Sequence, residues 1–549
     1  MEKKLAKLYG DEKAREVKKE IEQLLGAFKS SIATKTGKWS EADVALITYP
    51  DAFQESSAPS LQALSQLLTD ELSGIFSIQH ILPFLPFSAD RGFAVKDYSH
   101  VNADFGSWNN IRSLASKNRL MSDLILNHIS VKHMWFQQFL AGYAAYEDCF
   151  IWYPEDKVPW NDLKKVTRPR PTPVLTPFET AKGRRYVWTT YSTSNGADQV
   201  DLNYKNPTVF VEMVRVMLRL LENGIQVLRF DGAPALWKEV GTTCYHLPQT
   251  HTLISLFREI AQKVNPAALC IAEAATASRE VNETYFGNGH NEAHMIYNYP
   301  LAPLVLHSLY TSNAEKLSAW AATLRVRSKD TTFLNALDIH DGINVTSIDG
   351  ILSMKERSEL FDTVKNKGGQ FSYRTLPDGS KVVKELNITW WSAVNGGEDD
   401  TFDMQLRRFT TSRAIAMSLM GIPAIYYLSL FGEENDVAGF EANKMPRDIN
   451  RKNYNLVELE GKLQDASSKE KRVLNEITSL ITRRKSILQF HPNAPQKVID
   501  LDKRVFALLR GDAGRELLAL HNISDQTVTV LYKNATYKLK PYGFIWSTL

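Results

Sequence analysis

The chain contains 549 residues, 44% of them hydrophobic and 23% charged, so it is a globular protein able to bury a large core. Its formal net charge is +3 and the charges are interleaved along the sequence, which argues against a nucleic-acid partner. Cys149, Cys244 and Cys270 lie far apart without metal-ligand spacing, so neither a disulfide framework nor a cysteine metal site is expected.

The amino-terminal residues carry apolar side chains at helical spacing among many charges, with a break at Gly10. This pattern predicts a helical extension over residues 1–40 that packs on the main domain. The first residues are too charged for a secretory signal, and no apolar run reaches membrane-spanning length. We therefore expect a cytoplasmic protein without a membrane partner.

Eight short apolar runs separated by helical patterns predict parallel βαβ units, and hence an α/β fold, a (β/α)₈ TIM barrel over residues 41–490. Residues of about 131–198 break this rhythm and predict an inserted subdomain after strand three. A Gly-rich, polar stretch of about 343–400 predicts long loops. Short alternating strands predict a small all-β domain over residues 491–549. The strand candidates are 44–49, 78–83, 120–128, 225–228, 268–273, 294–297, 332–337 and 424–427.

The fourth strand leads into the sequence IQVLRFDGAPALWK, residues 225–238. Arg229 and Asp231 are two residues apart, so on a strand their side chains point the same way. An arginine beside a buried carboxylate favours the ionised form that a nucleophile needs. The alternative is a structural Arg–Asp pair that closes a turn, and this stretch alone does not decide between the two interpretations.

Three carboxylates follow predicted strands: Asp231 after strand four, Glu273 after strand five and Asp341 after strand seven. The carboxyl ends of barrel strands carry the catalytic groups of TIM-barrel enzymes. Retaining glycosyl transfer needs two carboxyl groups roughly 5–5.5 Å apart, one as nucleophile and one as acid/base. Adjacent strands four and five meet that need, and Asp341 is suited to oppose the positive charge of the transition state.

Further polar and aromatic residues are candidates for sugar binding. His128 and His340 fall at strand ends, where a histidine either donates to sugar hydroxyls or bonds to the backbone. Asp90 either accepts from sugar hydroxyls or lies in a turn. Phe93, Trp135 and Tyr191 either stack on a sugar or pack in the core. Neither histidine has a partner at metal-ligand spacing, so no metal site is expected.

Five short motifs resemble the alpha-amylase superfamily, and longer stretches such as LPFLPFSADRGFAVKDY, RPRPTPVLTPF and DQVDLNYKNP are similar to the sucrose phosphorylase subfamily. The resemblance covers nearly the whole chain from about residue 39. The helical extension before the first strand is most similar in layout to the glucosylglycerate phosphorylases. The five motifs are LILNH (124–128), LRFD (228–231), AE (272–273), HD (340–341) and GIPAIYY (421–427).

The resemblance implies roles for nine residues. Asp231 would be the nucleophile that forms a β-glucosyl enzyme, Glu273 the general acid/base and Asp341 the transition-state stabiliser. Inorganic phosphate would replace water as co-substrate and meet arginine in the acceptor subsite, giving α-glucose 1-phosphate without a cofactor or metal. The partners would be a small α-glucoside and phosphate, and a homodimer is one alternative for the oligomeric state. The residues implied to line the glucose subsite are Asp90, Phe93, His128, Arg229, His340 and Arg447.

The sequence departs from the usual pattern of this subfamily around the expected acceptor subsite, at residues 232–234, 274–275, 338–339 and 445–446, and residues 193–196 resemble an insertion. These departures leave the chemistry better supported than the leaving group. The layout of the chain makes glucosylglycerate the first expectation for the substrate, and an acceptor not usual for either relative is an alternative. Sucrose or glucosylglycerol is the alternative, followed by an α-glucosidase or transglucosidase of the same fold. A non-catalytic scaffold would have a membrane anchor and would lack the catalytic acids, and the sequence has neither property.

Overall fold

The structure is a computed structural model that describes residues 1–28, 38–193, 197–275, 278–397 and 400–549. Parts of three predicted features lie outside the described residues: the end of the helical extension, the insertion at 193–196 and the last part of the 343–400 stretch. Within the described ranges, no helix is both long and apolar enough to cross a bilayer.

Eight parallel strands form a closed barrel, in which the strands pair in chain order and the last pairs with the first. The predicted (β/α)₈ fold is confirmed, and each predicted strand overlaps an observed one. The barrel strands are β1 (Ala45–Thr48), β2 (Ile78–Ile81), β3 (Arg119–Ile125), β4 (Ile225–Asp231), β5 (Leu269–Ala272), β6 (Met295–Tyr297), β7 (Thr332–Ala336) and β8 (Ile422–Tyr426).

Helices surround the barrel and lie in the loops between its strands. Pro207–Glu222 shows how the sequence sets such a helix: the Asn206 side chain caps its first turn, Pro207 fits the first helical position, and one face buries Val214, Met217 and Leu221. The others are Ser60–Asp70, Trp108–Lys117, Met134–Leu140, Trp160–Leu163, Pro248–Val264, Arg279–Glu283, Leu301–Thr311, Glu315–Ala321, Met354–Asn366, Trp390–Val394, Phe402–Ser418, Val437–Asn443, Leu456–Gln464 and Lys469–Lys485.

The amino-terminal extension consists of two helices, Glu2–Tyr9 and Asp11–Ala27, separated at Gly10 as the sequence predicts. They pack on the barrel helices Pro207–Glu222 and Pro248–Val264. The amino group of Met1 and the Nζ of Lys4 each lie 2.8 Å from the Glu259 carboxylate. Apolar packing and these ion pairs together hold the extension against the barrel.

The chain leaves the barrel after β3 earlier than the sequence predicts. β3 ends at Ile125, and His128 begins a separate short strand, His128–Ser130, that pairs antiparallel with Gln199–Asp201. The expectation that His128 ends strand three is therefore wrong, because Asn127 turns to bond the Asp201 carboxylate at the far end of the insertion. The insertion also contains a three-stranded sheet of Trp152–Pro154, Leu175–Thr180 and Gly183–Trp188.

The stretch 343–400, expected to form loops, instead contains regular structure. Helix Met354–Asn366 is followed by the antiparallel strands Gln370–Thr375 and Lys381–Asn387, and Ile343–Asn344 completes a three-stranded sheet. The expectation failed because its buried apolar residues, such as Leu360 and Leu386, pack against the main core although the local composition is polar.

The carboxyl-terminal part contains a four-stranded antiparallel sheet and a separate hairpin. The sheet and the barrel helices Phe402–Ser418 and Glu315–Ala321 pack together. The proposed domain limits at residues 40 and 490 stay a prediction. The sheet consists of Gln496–Ile499, Val505–Arg510, Leu517–Asn522 and Phe544–Thr548, and the hairpin of Val528–Tyr532 and Ala535–Leu539.

The glycine that precedes β8 offers a test of the barrel packing. Gly421 has a φ of 120°, and an added Cβ would lie 2.9 Å from both the Asn335 Nδ2 and the Phe333 carbonyl oxygen. We expect Gly421→Ala to lower the free energy of unfolding by about 2 kcal/mol or more, because it combines backbone strain with a clash. Chemical denaturation monitored by circular dichroism measures this change.

Gly461 provides the matched control, since it is exposed within helix Leu456–Gln464 and an added Cβ would meet no atom within 4 Å. Gly461→Ala should therefore raise stability by about 0.5–1 kcal/mol. Equal effects of the two substitutions would contradict the packing described here.

Candidate active site

A cavity of about 400 Å³ lies at the carboxyl ends of the barrel strands. Eight of the nine predicted site residues line it, and the ninth, Arg229, lies buried beside Asp231. The barrel thus brings together residues that are up to 357 positions apart, from Asp90 to Arg447. The lining consists of Asp90, Phe93, His128, Arg170, Tyr191, Gln199, Asp231, Gly232, Glu273, His340, Asp341, Lys384 and Arg447.

The end of β4 carries a buried charge cluster. The Arg229 Nη1 lies 2.6 Å from the Asp231 Oδ1, as expected for side chains on the same face of a strand. The same nitrogen also donates to Asp123 on the neighbouring strand β3, and the Asp123 Oδ2 lies 2.9 Å from the His80 Nε2 of β2. Asp231 is therefore fixed by a cluster spread over three adjacent strands.

Burial raises the pKa of Asp231 to about 7, although the Arg229 guanidinium acts in the opposite direction, and the Glu273 carboxylate adds to the rise. Arg229 therefore favours the ionised form of Asp231, as expected, but it does not outweigh the effect of burial. The reason is that Arg229 is shared with Asp123, whose pKa falls to about 2 because Arg229 and His80 outweigh the effect of burial there. Arg229 thus lowers the pKa of both carboxyl groups, but only at Asp123 is the effect of burial outweighed.

Glu273 follows β5 and faces the turn after Asp231. Its Oε2 accepts from the Gly232 backbone N–H at 3.3 Å, and its Oε1 accepts from the Ala275 N–H at 3.1 Å and the Tyr299 hydroxyl at 3.4 Å. These bonds fix the carboxyl group at the cavity wall. Gly232, in the left-handed region at φ 60°, turns its N–H towards Glu273.

Asp341 lies across the cavity in a strongly basic setting. Its Oδ1 is 2.6 Å from the Arg447 Nη1 and 3.6 Å from the Arg451 Nη2. Burial acts to raise the pKa of Asp341, but Arg447 and the other neighbouring positive groups hold it well below its ordinary range. Asp341 is therefore ionised near neutral pH.

Both predicted histidines are buried and neutral near pH 7. Burial lowers the pKa of His128 to about 4 and that of His340 to about 3. The His340 ring stacks on Phe93 with 5.1 Å between ring centroids and 10° between planes. The His128 Nε2 and the His340 Nδ1 are buried without a hydrogen-bond partner within the described residues, so each is available to a ligand.

Asp90 forms the last carboxylate of the wall. Its Oδ2 accepts from the Arg170 Nη2 at 3.2 Å, and its Oδ1 lies 3.7 Å from the Arg451 Nη1. Although burial opposes the shift, these arginines and Arg447 lower the pKa of Asp90. Asp90 is therefore an ionised acceptor, and its φ of 49° places it in a tight turn at the same time.

Several cavity residues were not predicted as site residues. Arg170 and Gln199 fall in the stretches RPRPTPVLTPF and DQVDLNYKNP, whose family resemblance was a signal that could have found them. Of the aromatic candidates, Tyr191 lines the cavity. Trp135 instead packs edge-on against His133, with 5.1 Å between the ring centroids. Lys384 had no sequence signal, because its stretch was expected to form loops.

Lys384 reaches the cavity through a β-bulge. Ser372 pairs with Glu385 and Tyr373 pairs with Val383, so Lys384 is the extra residue between strands Gln370–Thr375 and Lys381–Asn387. The Lys384 Nζ consequently lies 2.7 Å from the Oε1 of its neighbour Glu385. Glu385 also accepts from the Nε and Nη2 of Arg447 at 2.9–3.1 Å.

A second, larger cavity of about 1310 Å³ adjoins the first, and we call it the outer chamber. The two cavities share Asp90, Arg170 and Arg447. The outer chamber is rich in positive charge, and its further lining residues are Arg91, Pro171, Thr193, Phe371, Ser372, Tyr373, Asn443, Lys444, Met445, Pro446, Asp448 and Arg451.

Comparison with known proteins identifies the family. Residues 72–356 match the family described as Alpha amylase, catalytic domain. The glucosylglycerate phosphorylase of Allomeiothermus silvanus is 39% identical over 98% of this chain and 96% of its own length, and that of Escherichia coli is 39% identical over 88% and 86%.

A solved structure supports the same grouping. The sucrose 6F-phosphate phosphorylase from Thermoanaerobacter thermosaccharolyticum superimposes with a TM-score of 0.78 at 25% identity, covering 93% of this chain and all of that one. The chain therefore belongs to the alpha-amylase family, in which it groups with glucosylglycerate phosphorylases.

Proposed function

We propose that the protein is a retaining α-glucoside phosphorylase that transfers glucose from 2-O-α-glucosylglycerate to inorganic phosphate. The observation that carries this proposal is the meeting of Asp231, Glu273 and Asp341 around one cavity at the ends of β4, β5 and β7. The similarity to glucosylglycerate phosphorylases over nearly their whole length supports the choice of substrate. The enzyme acts without a cofactor or metal, with phosphate as co-substrate.

In the first half-reaction, Asp231 attacks the anomeric carbon of the glucosyl group. The bond from this carbon to the glyceryl oxygen breaks, and Glu273 gives its proton to that oxygen. Positive charge develops on the sugar ring, and the ionised Asp341 stabilises it. This step requires Asp231 to be ionised. Burial raises the pKa of Asp231 to about 7, and the neighbouring Glu273 carboxylate adds to the rise.

In the second half-reaction, phosphate enters in place of glycerate. Glu273, now ionised, accepts the proton of a phosphate hydroxyl while the phosphate oxygen attacks the anomeric carbon and the bond to Asp231 breaks. The product is α-glucose 1-phosphate, with the original configuration retained. Arg170, which lies between the two cavities, is the arginine we propose to meet the acceptor anion.

The glucose subsite follows from the remaining contacts. Asp90 is an ionised acceptor. The neutral His128 and His340 each have a ring nitrogen that no described residue bonds, so it is available to a sugar hydroxyl. Phe93 provides an apolar face, and Arg229 and Arg447 hold the carboxylates Asp231 and Asp341. A cytoplasmic location and a homodimer stay predictions.

The reaction type can be tested on the wild-type protein. We expect release of glucose 1-phosphate from glucosylglycerate to require phosphate and to exceed release from sucrose and glucosylglycerol at equal concentration. Anion-exchange chromatography of the products, with and without phosphate, measures both glucose 1-phosphate and free glucose. Free glucose at the same rate in the absence of phosphate would instead identify a hydrolase.

The roles of Asp231 as nucleophile and Glu273 as acid/base can be distinguished with a substrate whose leaving group needs no proton. With α-glucosyl fluoride, Asp231→Asn should lose at least about 10³-fold in kcat/KM, because no nucleophile remains. Glu273→Gln should lose far less on this substrate but should be severely impaired on glucosylglycerate. Similar losses for both variants on the fluoride would contradict the assigned roles.

The pH profile tests the coupling between Asp231 and Glu273. Because the nucleophile must be ionised and its pKa is about 7, kcat/KM for α-glucosyl fluoride should fall as the pH drops through 7. Glu273→Gln removes a neighbouring negative charge, so its acid limb should move to lower pH. An acid limb that stays in place or moves upward would show that another group controls it.

A further inference from the structure

An anionic acceptor faces an electrostatic obstacle in this cavity. Four carboxyl groups, those of Asp90, Asp231, Glu273 and Asp341, line the wall. Like charges repel strongly where water is excluded, so glycerate or phosphate binds here only if a positive group faces it. Because glycerate and phosphate are both anions, each half-reaction requires a positive group that faces the acceptor.

Three cationic side chains line the same cavity: Arg170, Lys384 and Arg447. The Arg447 guanidinium is committed, because its Nε and Nη2 donate to Glu385 and its Nη1 contacts Asp341. The Arg170 Nη2 donates to Asp90. Arg447 therefore serves to hold carboxylates of the protein, and Arg170 does so in part.

Lys384 and Arg170 both keep spare donor capacity, whereas Arg447 does not. The buried Nε of Arg170 has no hydrogen-bond partner within the described residues, and the ammonium of Lys384 is the more compact of the two charges. Lys384 has three ammonium N–H donors, and in the described parts of the chain its single ion-pair partner is Glu385 at 2.7 Å. Its side chain is only 8% exposed, so water does not readily satisfy the remaining donors. The β-bulge turns Lys384 towards the cavity, and such bulges serve to redirect side chains next to active sites.

We propose that Lys384 binds the oxyanion of the acceptor beside Arg170. This oxyanion is the carboxylate of glycerate in one half-reaction and inorganic phosphate in the other. This assignment rests on the proposed function and names the residue that selects anionic over neutral acceptors. A lysine suits both ligands because its ammonium is a compact charge without the planar fork of arginine, so it serves a planar carboxylate and a tetrahedral phosphate equally. Glu385 orients the ammonium.

The test compares acceptors on one common intermediate. The glucosyl enzyme is formed from α-glucosyl fluoride, and the products of transfer to phosphate, glycerate, glycerol and water are measured. In Lys384→Gln, the ratio of transfer to phosphate over transfer to glycerol should fall by about 10- to 100-fold, the loss expected when a hydrogen bond to a charged group disappears. The ratio of glycerate to glycerol should fall in parallel.

Matched variants separate this role from a structural one. Lys384→Arg keeps the charge and should recover part of both ratios, and Lys384→Met gives a second neutral variant if Lys384→Gln folds poorly. Lys381→Gln makes the same substitution at an exposed position of the same strand and should leave both ratios unchanged. Circular dichroism compares the folding of all four variants.

Two results would overturn the proposal. An equal loss for charged and neutral acceptors would mean that Lys384 only holds Glu385 and Arg447 in place, and unchanged ratios would mean that another group binds the anion. Failure of the underlying function has a different signature. In that case the wild-type glucosyl enzyme itself would transfer to water but not to phosphate.

Discussion

The Arg229 guanidinium, buried between Asp123 and Asp231, is the interaction on which the site depends. A charge removed from water is tolerated only when it is paired, and here one cation is shared between two carboxylates on adjacent strands. The sharing ties β2, β3 and β4 together and leaves Asp231 only partly neutralised. Asp231 is therefore held rigidly, and Glu273 still raises its pKa. Rigid barrel strands give such a site its precision.

Much of this arrangement could be predicted from the sequence, because its determinants are local. The apolar runs before Asp231 and Glu273 are strands in any parallel barrel, and a carboxylate directly after such a run must lie at the catalytic face. The Arg229–Asp231 contact follows from the alternation of side chains along a strand. The raised pKa of Asp231 could not be predicted, because it depends on burial and on Glu273 and Asp123, which are distant in sequence.

The remaining errors have the same physical origin. Lys384 enters the cavity only because a bulge adds one residue to one strand of an antiparallel pair. Nothing in the local sequence indicates a bulge. His128 leaves β3 because Asn127 bonds to Asp201, a contact across the whole insertion. The stretch 343–400 looks polar, yet its few apolar residues are those that reach the core. In each case a long-range contact decides the local conformation.

The residues that line the two cavities suit different parts of a substrate. The inner cavity, with its carboxylates and neutral histidines, suits a polyhydroxylated neutral ring, whereas the cations near its mouth suit a charged acceptor. Arg170 and Arg447 belong to both cavities, so they lie where the two cavities meet.

The basic outer chamber has a further consequence, for the rate of association. Its cluster of arginines creates a positive potential at the entrance, which draws anions inward and speeds their encounter with the site. This attraction weakens with ionic strength, because the Debye length is about 8 Å at physiological salt, so the on-rate of phosphate or a sugar acid depends on salt. A neutral disaccharide is not attracted by this positive potential. The outer chamber therefore favours anionic substrates over neutral ones at low salt.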